Sequence, residues 1–315
     1  MKHLISLGDL TSAEVIQLLD LADVLKAQTK AGIAKPLLAG KTLGMIFAKS
    51  STRTRVSFEV GMLQLGGHAL FLSSQDIQLG RGESIPDTAQ VLSRFLDGIM
   101  IRTFKHQDVT DLAKYGTIPI INGLTDLMHP CQALADLMTI REHLGTLRGR
   151  KLAYLGDGNN VANSLLHACS KVGMDVAIAS PAGYACDPAC IAEAREEADH
   201  QGSKVLLTDD PFLAAANADA IYTDTWVSMG QEAEKARRLA VFGSYQVNDA
   251  IMATASPQAI FLHCLPAYRG LEVTESVIDG PASVIFDEAE NRLHAQKAVL
   301  VALLGSGSAD PDAIE

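Results

Sequence analysis

Three observations predict an α/β fold with two doubly wound parallel-sheet domains and an interdomain cleft. Apolar segments of strand length alternate with amphipathic helical segments along the chain, the pattern of parallel sheets covered on both faces. The alternation pauses at Leu147-Arg148-Gly149-Arg150, which reads as a hinge, and then restarts. A length of 315 residues fits about two domains by the ~150-residue prior. Ligands of such folds sit at the carboxyl ends of strands, so chemistry is expected where polar clusters follow apolar runs.

Residues 9–30 read as a capped amphipathic helix with Val15, Leu18, Leu19, Ala22 and Leu25 inward. A strand over 42–48 and a helix over 52–66 follow, the helix stopping at Gly66-Gly67. Val56, Val60 and Leu63 fall at i, i+4 and i+7, one face of that helix. Phe71-Leu72 is a short strand, and 73–83 is a polar, glycine-bearing loop. Pro86-Asp87 opens a helix over 86–96, and a buried strand over 97–101 delivers Arg102 at its end. A strand over 117–121 comes next, then a helix from His129-Pro130 to about Leu144, with proline at the favoured first position. After the hinge, strands are expected at 151–155, 174–179, 204–208, 219–223 and 259–264. Helices are expected at 160–172, 188–200, 210–217 and 231–242, and a long final helix runs from Glu290 to Leu304. The domains are then 1–146 and 147–289, with the helix 290–305 packing back on the first.

Composition narrows the function. A net charge of -11 argues against nucleic acid or an anionic membrane as partner. It permits a small phosphorylated ligand, since Arg53, Arg55 and Arg102 can form a local positive pocket. No apolar run reaches the ~20 residues of a membrane span, and Met1-Lys2-His3-Leu4 lacks the apolar block of a signal peptide. Five scattered cysteines suit reduced thiols in a cytoplasm. Cys186 and Cys190 lack a second Cys/His pair to complete a zinc site and read as structural, so no metal is expected.

Ser50 to Glu59 is the stretch with the most chemistry. A strand feeds a helix whose first turn carries hydroxyls and guanidiniums. Unpaired N–H groups and the positive dipole end suit a compact oxyanion, and arginine adds bidentate bonds. Taken alone, the stretch also fits an ordinary Ser/Thr cap followed by two solvated arginines. Four more clusters lie at strand ends or helix starts: Arg102, His129-Pro130-Cys131-Gln132, Asp224 to Gly230, and His263-Cys264-Leu265-Pro266. Each has a structural reading by itself, His129 as a cap and Cys264 as a small buried hydrophobe among them.

Together and in this order, the clusters resemble the aspartate/ornithine carbamoyltransferase family. Ser51-Thr52-Arg53-Thr54-Arg55, Arg102 and His129-Pro130-Cys131-Gln132 carry the half shared by both branches. Asp224, Ser228-Met229-Gly230 and the cysteine of His263-Cys264-Leu265-Pro266 resemble the ornithine branch, and Glu290 to Lys297 completes the set. The resemblance covers essentially the whole chain. It implies transfer of a carbamoyl group from carbamoyl phosphate to the δ-amine of L-ornithine, within arginine synthesis or breakdown. It implies a carbamoyl phosphate domain at 1–146 and an ornithine domain at 147–289. No cofactor is implied.

The resemblance also distributes roles. Ser51, Thr52, Arg53 and Thr54 hold the phosphate, and Arg102 bridges phosphate and carbonyl oxygen. His129 binds that oxygen and Gln132 the amide nitrogen, while Leu265 and Arg292 complete the carbamoyl phosphate side. Cys264, as a thiolate, binds and orients the amine. Arg102, His129 and Cys264 are the expected catalytic residues. The α-amino and α-carboxyl groups of ornithine fall to Asp224, Ser228, Met229 and Asn160. Gln78 is donated across the interface of a homotrimer. Putrescine or aspartate is the alternative acceptor. Gly156-Asp157-Gly158 invites a dinucleotide reading, but Val161 stands where the third glycine belongs and no acid follows the next strand.

Overall fold

The structure, a computed structural model, describes residues 1–74, 77, 82–227 and 232–305. It divides into two units, Met1–Met138 with the chain from Glu290 onward, and Thr139–Ala289.

In the first unit α1 (Ser12–Lys30) begins at Thr11, whose side chain and that of Glu14 cap each other's backbone N–H. Val15, Leu18, Leu19, Ala22 and Leu25 are buried, as the periodicity predicts. Four strands form the sheet: β1 (Thr42–Phe47), β2 (His68–Ser73), β3 (Gly98–Arg102) and β4 (Ile120–Leu124). They run in the order β2-β1-β3-β4, all parallel. The helices that follow them are α2 (Thr52–Gln64), α3 (Ile85–Leu92), α4 (His106–Tyr115) and α5 (Pro130–Leu144). Ile46, Ile99, Ile101 and Ile120 meet Ala89, Val109 and Leu112 in the core between sheet and helices.

Two expectations change here, and one helix lies where none was expected. The inward face of α2 is Thr54, Phe58, Gly61 and Met62, whereas Val56 is 49% and Leu63 74% exposed. The i, i+4, i+7 pattern finds the helix but picks its outer face. β4 starts later than 117–121 because Pro119 has no N–H to give a ladder; its carbonyl still accepts from Ile99. α4 escaped the periodicity because only Val109 and Leu112 point inward.

The second unit has β5 (Lys151–Leu155), β6 (Asp175–Ala179), β7 (Val205–Thr208), β8 (Ala220–Tyr222) and β9 (Ile260–Leu262). Their order is β7-β6-β5-β8-β9, again all parallel. α6 (Asn160–Lys171), α7 (Pro188–Gln201), α8 (Pro211–Ala215), α9 (Lys235–Phe242), α10 (Asp249–Met252) and α11 (Glu275–Ile278) surround it. Asp187 and Gly202 bound α7, the aspartate accepting from Ala189 and Cys190 N–H, the glycine at φ 75. The core gathers Ala153, Leu155, Ala177, Ile221 and Phe261 with Val247, Val273 and Val277.

α12 (Ile285–Leu304) starts five residues before the expected Glu290. In the first unit it packs on α2, where Gly61 lets Leu293, Lys297 and Leu300 approach. Its last leucine, Leu304, lies where a Cβ on Gly98 of β3 would fall.

In each all-parallel sheet the order in which the chain adds strands reverses once. In the first the reversal lies between β1 and β3, in the second between β5 and β8. Loops leaving such a pair diverge and open a crevice at the strand carboxyl ends.

Candidate active site

At the β1/β3 switch point, β1 ends and α2 begins with Ser51 as N-cap, its hydroxyl accepting from Thr54 N–H. The first helical bond runs from Arg55 N to Ser51 O, so the N–H groups of Thr52 and Arg53 precede it and face along the axis. Thr54 Oγ1 is the hub of the cluster. It accepts from Arg102 at 3.4 Å and from Arg292 at 3.2 Å, and lies 3.2 Å from Ser51 Oγ. Arg102 arrives from β3 and Arg292 from α12, and both are buried. Arg292 also donates to Gln132 Oε1 at 2.6 Å, and Gln132 Nε2 donates to Asp136 at 2.8 Å.

His129, just ahead of α5, is buried beside this cluster. Burial is the main cause that holds its pKa well below the usual 6.5, followed by the charges of Arg292, Arg102, Lys49 and Arg53. It is therefore a neutral imidazole at pH 7, able to donate to a carbonyl oxygen without adding charge. Four cations around one neutral ring, in a chain of net charge -11, make a local anion site.

The second unit's switch point has the opposite character. Asn159 follows β5 and caps α6, its Oδ1 accepting from Val161 and Ala162 N–H. Asn159 Nδ2 donates to Asp224 Oδ2 at 2.8 Å, just beyond β8. The other oxygen of Asp224 accepts from Thr225 N–H at 2.8 Å and from the Cys264 thiol at 3.3 Å. That bond suits a protonated thiol rather than the expected thiolate, which would set two anions at that distance. Tyr154 OH reaches Asn159 Oδ1 at 3.3 Å, and burial followed by the Asp224 charge raises its pKa well above 10.

Arg238 of α9 reinforces the same loops. It donates to Asp157 Oδ2 at 2.6 Å, to Trp226 O at 3.1 Å and to Glu234 at 2.9 Å. Burial raises the Asp157 carboxyl although Arg238 pulls it down.

Asp224, His263 and Cys264 bring ligand-type atoms within 4.8 Å of one another. His263 is nevertheless committed: Nδ1 accepts from Leu265 N–H at 2.9 Å, which leaves the proton on Nε2 facing Glu272 at 3.3 Å. Coordination there would break one of these bonds. Leu265 sits at φ 59, a conformation costing about 1–3 kcal/mol that the His263 bond helps hold.

The structure thus gathers Ser51, Thr54, Arg102, Gln132 and Arg292 in direct contact, with Arg53 and His129 adjoining, and gathers Asp224 with Cys264. Thr52 is exposed at the helix start. Asn160 opens α6, its carbonyl accepting from Ser164. Gln78, Ser228 and Met229 lie outside the described residues. Arg55 does not join the positive pocket: it pairs with Glu59 at 2.9 Å and stacks 3.8 Å over Phe71. Cys186 and Cys190 are buried thiols pushed up to about 12, chiefly by burial, which fits a structural role. Sequence reasoning missed Lys49, one residue ahead of the hydroxyl stretch, and Asn159, whose helix-cap chemistry beside Asn160 was the available signal.

The Gly156-Asp157-Gly158 loop also explains itself without a dinucleotide. Gly158 N–H bonds Tyr184 O at 2.8 Å, and a Cβ at this glycine would strike the backbone at Ala185 and Cys186. The glycine admits a neighbouring loop, not a pyrophosphate.

Family models match both halves of the chain. Residues 2–142 match the carbamoyl-P binding domain of aspartate/ornithine carbamoyltransferase, and residues 148–303 its Asp/Orn binding domain. The ornithine carbamoyltransferase of Carboxydothermus hydrogenoformans is 58% identical over 304 residues, 96% of this chain and 98% of that protein. That of Halalkalibacterium halodurans is 60% identical over 303 residues, 96% and 95% of the two chains. The solved ornithine carbamoyltransferase of Pyrococcus furiosus superposes with a TM-score of 0.95 at 55% identity, covering 98% of each chain. With both halves matched and such identity across nearly its whole length, the chain belongs to the aspartate/ornithine carbamoyltransferase family.

Proposed function

We infer that the chain transfers the carbamoyl group of carbamoyl phosphate to the δ-amine of L-ornithine, giving L-citrulline and phosphate. The observation that carries this is the buried cation and hydroxyl cluster on Thr54, set beside a neutral His129, in a chain 58% identical to an ornithine carbamoyltransferase.

In this reading Ser51, Thr52, Arg53 and Thr54 hold the phosphate at the start of α2. Arg102 spans phosphate and carbonyl oxygen, and His129 donates to that oxygen. Gln132, Leu265 and Arg292 complete the donor site. Each donor aimed at the developing oxyanion contributes about 3 kcal/mol. The acceptor amine, with a free pKa near ~10, must lose its proton before it attacks the carbonyl carbon. A new C–N bond forms, the C–O bond to phosphate breaks, and the departing phosphate takes the remaining amine proton. Asp224, Ser228, Met229 and Asn160 hold the α-amino and α-carboxyl groups of ornithine. Cys264, hydrogen-bonded to Asp224, orients the amine.

The segment 1–146 with the returning helix 290–305 is the donor domain in this reading, and 147–289 the acceptor domain. We also place the enzyme in the cytoplasm as a homotrimer, with Gln78 reaching a neighbour's site. Edge strand β2 exposes Leu70 and Phe71, and α2 exposes Val56 and Leu63, an apolar surface that supports self-association. Light scattering on the purified protein tests the trimer. Among the described residues no helix is long and apolar enough to cross a membrane.

The deciding experiment is turnover with carbamoyl phosphate and, in parallel, ornithine, putrescine or aspartate. Citrulline production far above the other products is expected. Carbamoyl phosphate binding without product from ornithine would sink the assignment.

A further inference from the structure

One pocket of the first unit has a chemistry that the reaction does not use. Its volume is about 210 Å³, and Leu25, Thr29, Ile33, Lys35, Gln64 and Lys297 are among its lining residues. It lies where α1, the turn after it, the end of α2 and α12 meet. Lys297 is only 4% exposed, and its ammonium donates to Thr29 Oγ1 at 2.8 Å and Gln64 Oε1 at 3.0 Å. Both acceptors are neutral, and among the described residues no carboxylate pairs with it. The lining holds a second lysine and no acid, in a chain of net charge -11.

A buried ammonium without a counter-charge is costly, and methionine would fill the same space without that cost. Burial correspondingly lowers the pKa of Lys297. The rest of the wall is Gln28, Gly32 and an apolar side from Leu25, Ile33, Ala34 and Leu65. The space accommodates a short chain bearing one head group. We propose that this pocket binds a short aliphatic carboxylate, its head group on Lys297 and its chain along Leu25, Ile33 and Leu65. The site is separate from the Thr54 cluster and stands whether or not the acceptor is ornithine.

Calorimetric titration of the full chain with hexanoate tests it, in the presence of saturating carbamoyl phosphate so that the donor site is filled. Saturable binding is expected, weakening as the acid is shortened to acetate and unaffected by hexylamine or inorganic phosphate. Lys297→Met should weaken hexanoate by roughly 30-fold or more while leaving carbamoyl phosphate binding unchanged. Ala34→Trp, at an exposed position on the pocket, should also block it and guards against a Lys297 variant that does not fold. Absence of saturable binding, binding that survives both substitutions, or displacement by inorganic phosphate would overturn the proposal.

Discussion

α2 and α6 are built alike and do opposite things. Each follows a central parallel strand at its sheet's switch point, and each opens on a side-chain cap, Ser51 in one and Asn159 in the other. Around the start of α2 the chain collects Arg53, Arg102, Arg292 and Lys49. At α6 the same geometry meets a carboxylate, since Asn159 spends its amide on Asp224. Identical backbone dipoles therefore present one anion-seeking end and one end already answered by protein. The lesson is that a helix start supplies the N–H groups, and the side chains arriving from other strands decide what they are for.

The sharpest way to break the contrast is to remove a cation at the first site. Arg102→Ala should lower turnover about 10²–10³-fold and weaken carbamoyl phosphate binding, read from steady-state kinetics and direct titration. Unchanged donor affinity would remove Arg102 from the site. Asp224→Asn tests the other end: KM for ornithine should rise roughly 10- to 100-fold, with carbamoyl phosphate affinity kept. A variant that loses donor affinity instead would merge the two sites. Asn159→Ala should cost about 1 kcal/mol of stability from the lost cap and raise KM for ornithine more mildly. Thermal unfolding beside kinetics separates the two effects, and an unmoved melting temperature would contradict the capping role.

The proton behaviour of His129 gives a finer test. Its folded pKa is depressed, so the unfolded chain takes up a proton first as pH falls below 6.5. The stability linked to it is whole above 6.5 and is lost as pH drops from there toward the folded pKa. Denaturant melts at successive pH values should show His129→Asn with a shallower acid loss than the parent, and an equally steep loss would contradict it. The smallest effect belongs to Arg55→Ala. With its guanidinium on Glu59 and Phe71, donor affinity should change by less than about 1 kcal/mol, measured by the same titration.

Strand ends and helix starts were legible because apolar runs stop where polar residues begin, so Arg102, Asp224 and Cys264 could be placed near strand ends and His129 ahead of a helix without coordinates. What a one-dimensional pattern lacks is rotation and partners. Val56 and Leu63 share a helix face with the right spacing, yet Thr54, Phe58 and Met62 turn inward. Arg55 sits between Thr54 and the rest of α2 and looks as available as Arg53, but a glutamate one turn on and an edge-strand phenylalanine take it. Asn159 and Asn160 are neighbours of the same type; only the cap geometry shows that the first is occupied.

Arg292 and Thr54 touch although 238 positions separate them in the chain. A ribosome must therefore deliver nearly all of the polypeptide before the donor cluster has its full complement of guanidiniums. A chain that stops short of α12 would carry the hydroxyl turn of α2 without the guanidinium that Arg292 sets on Thr54.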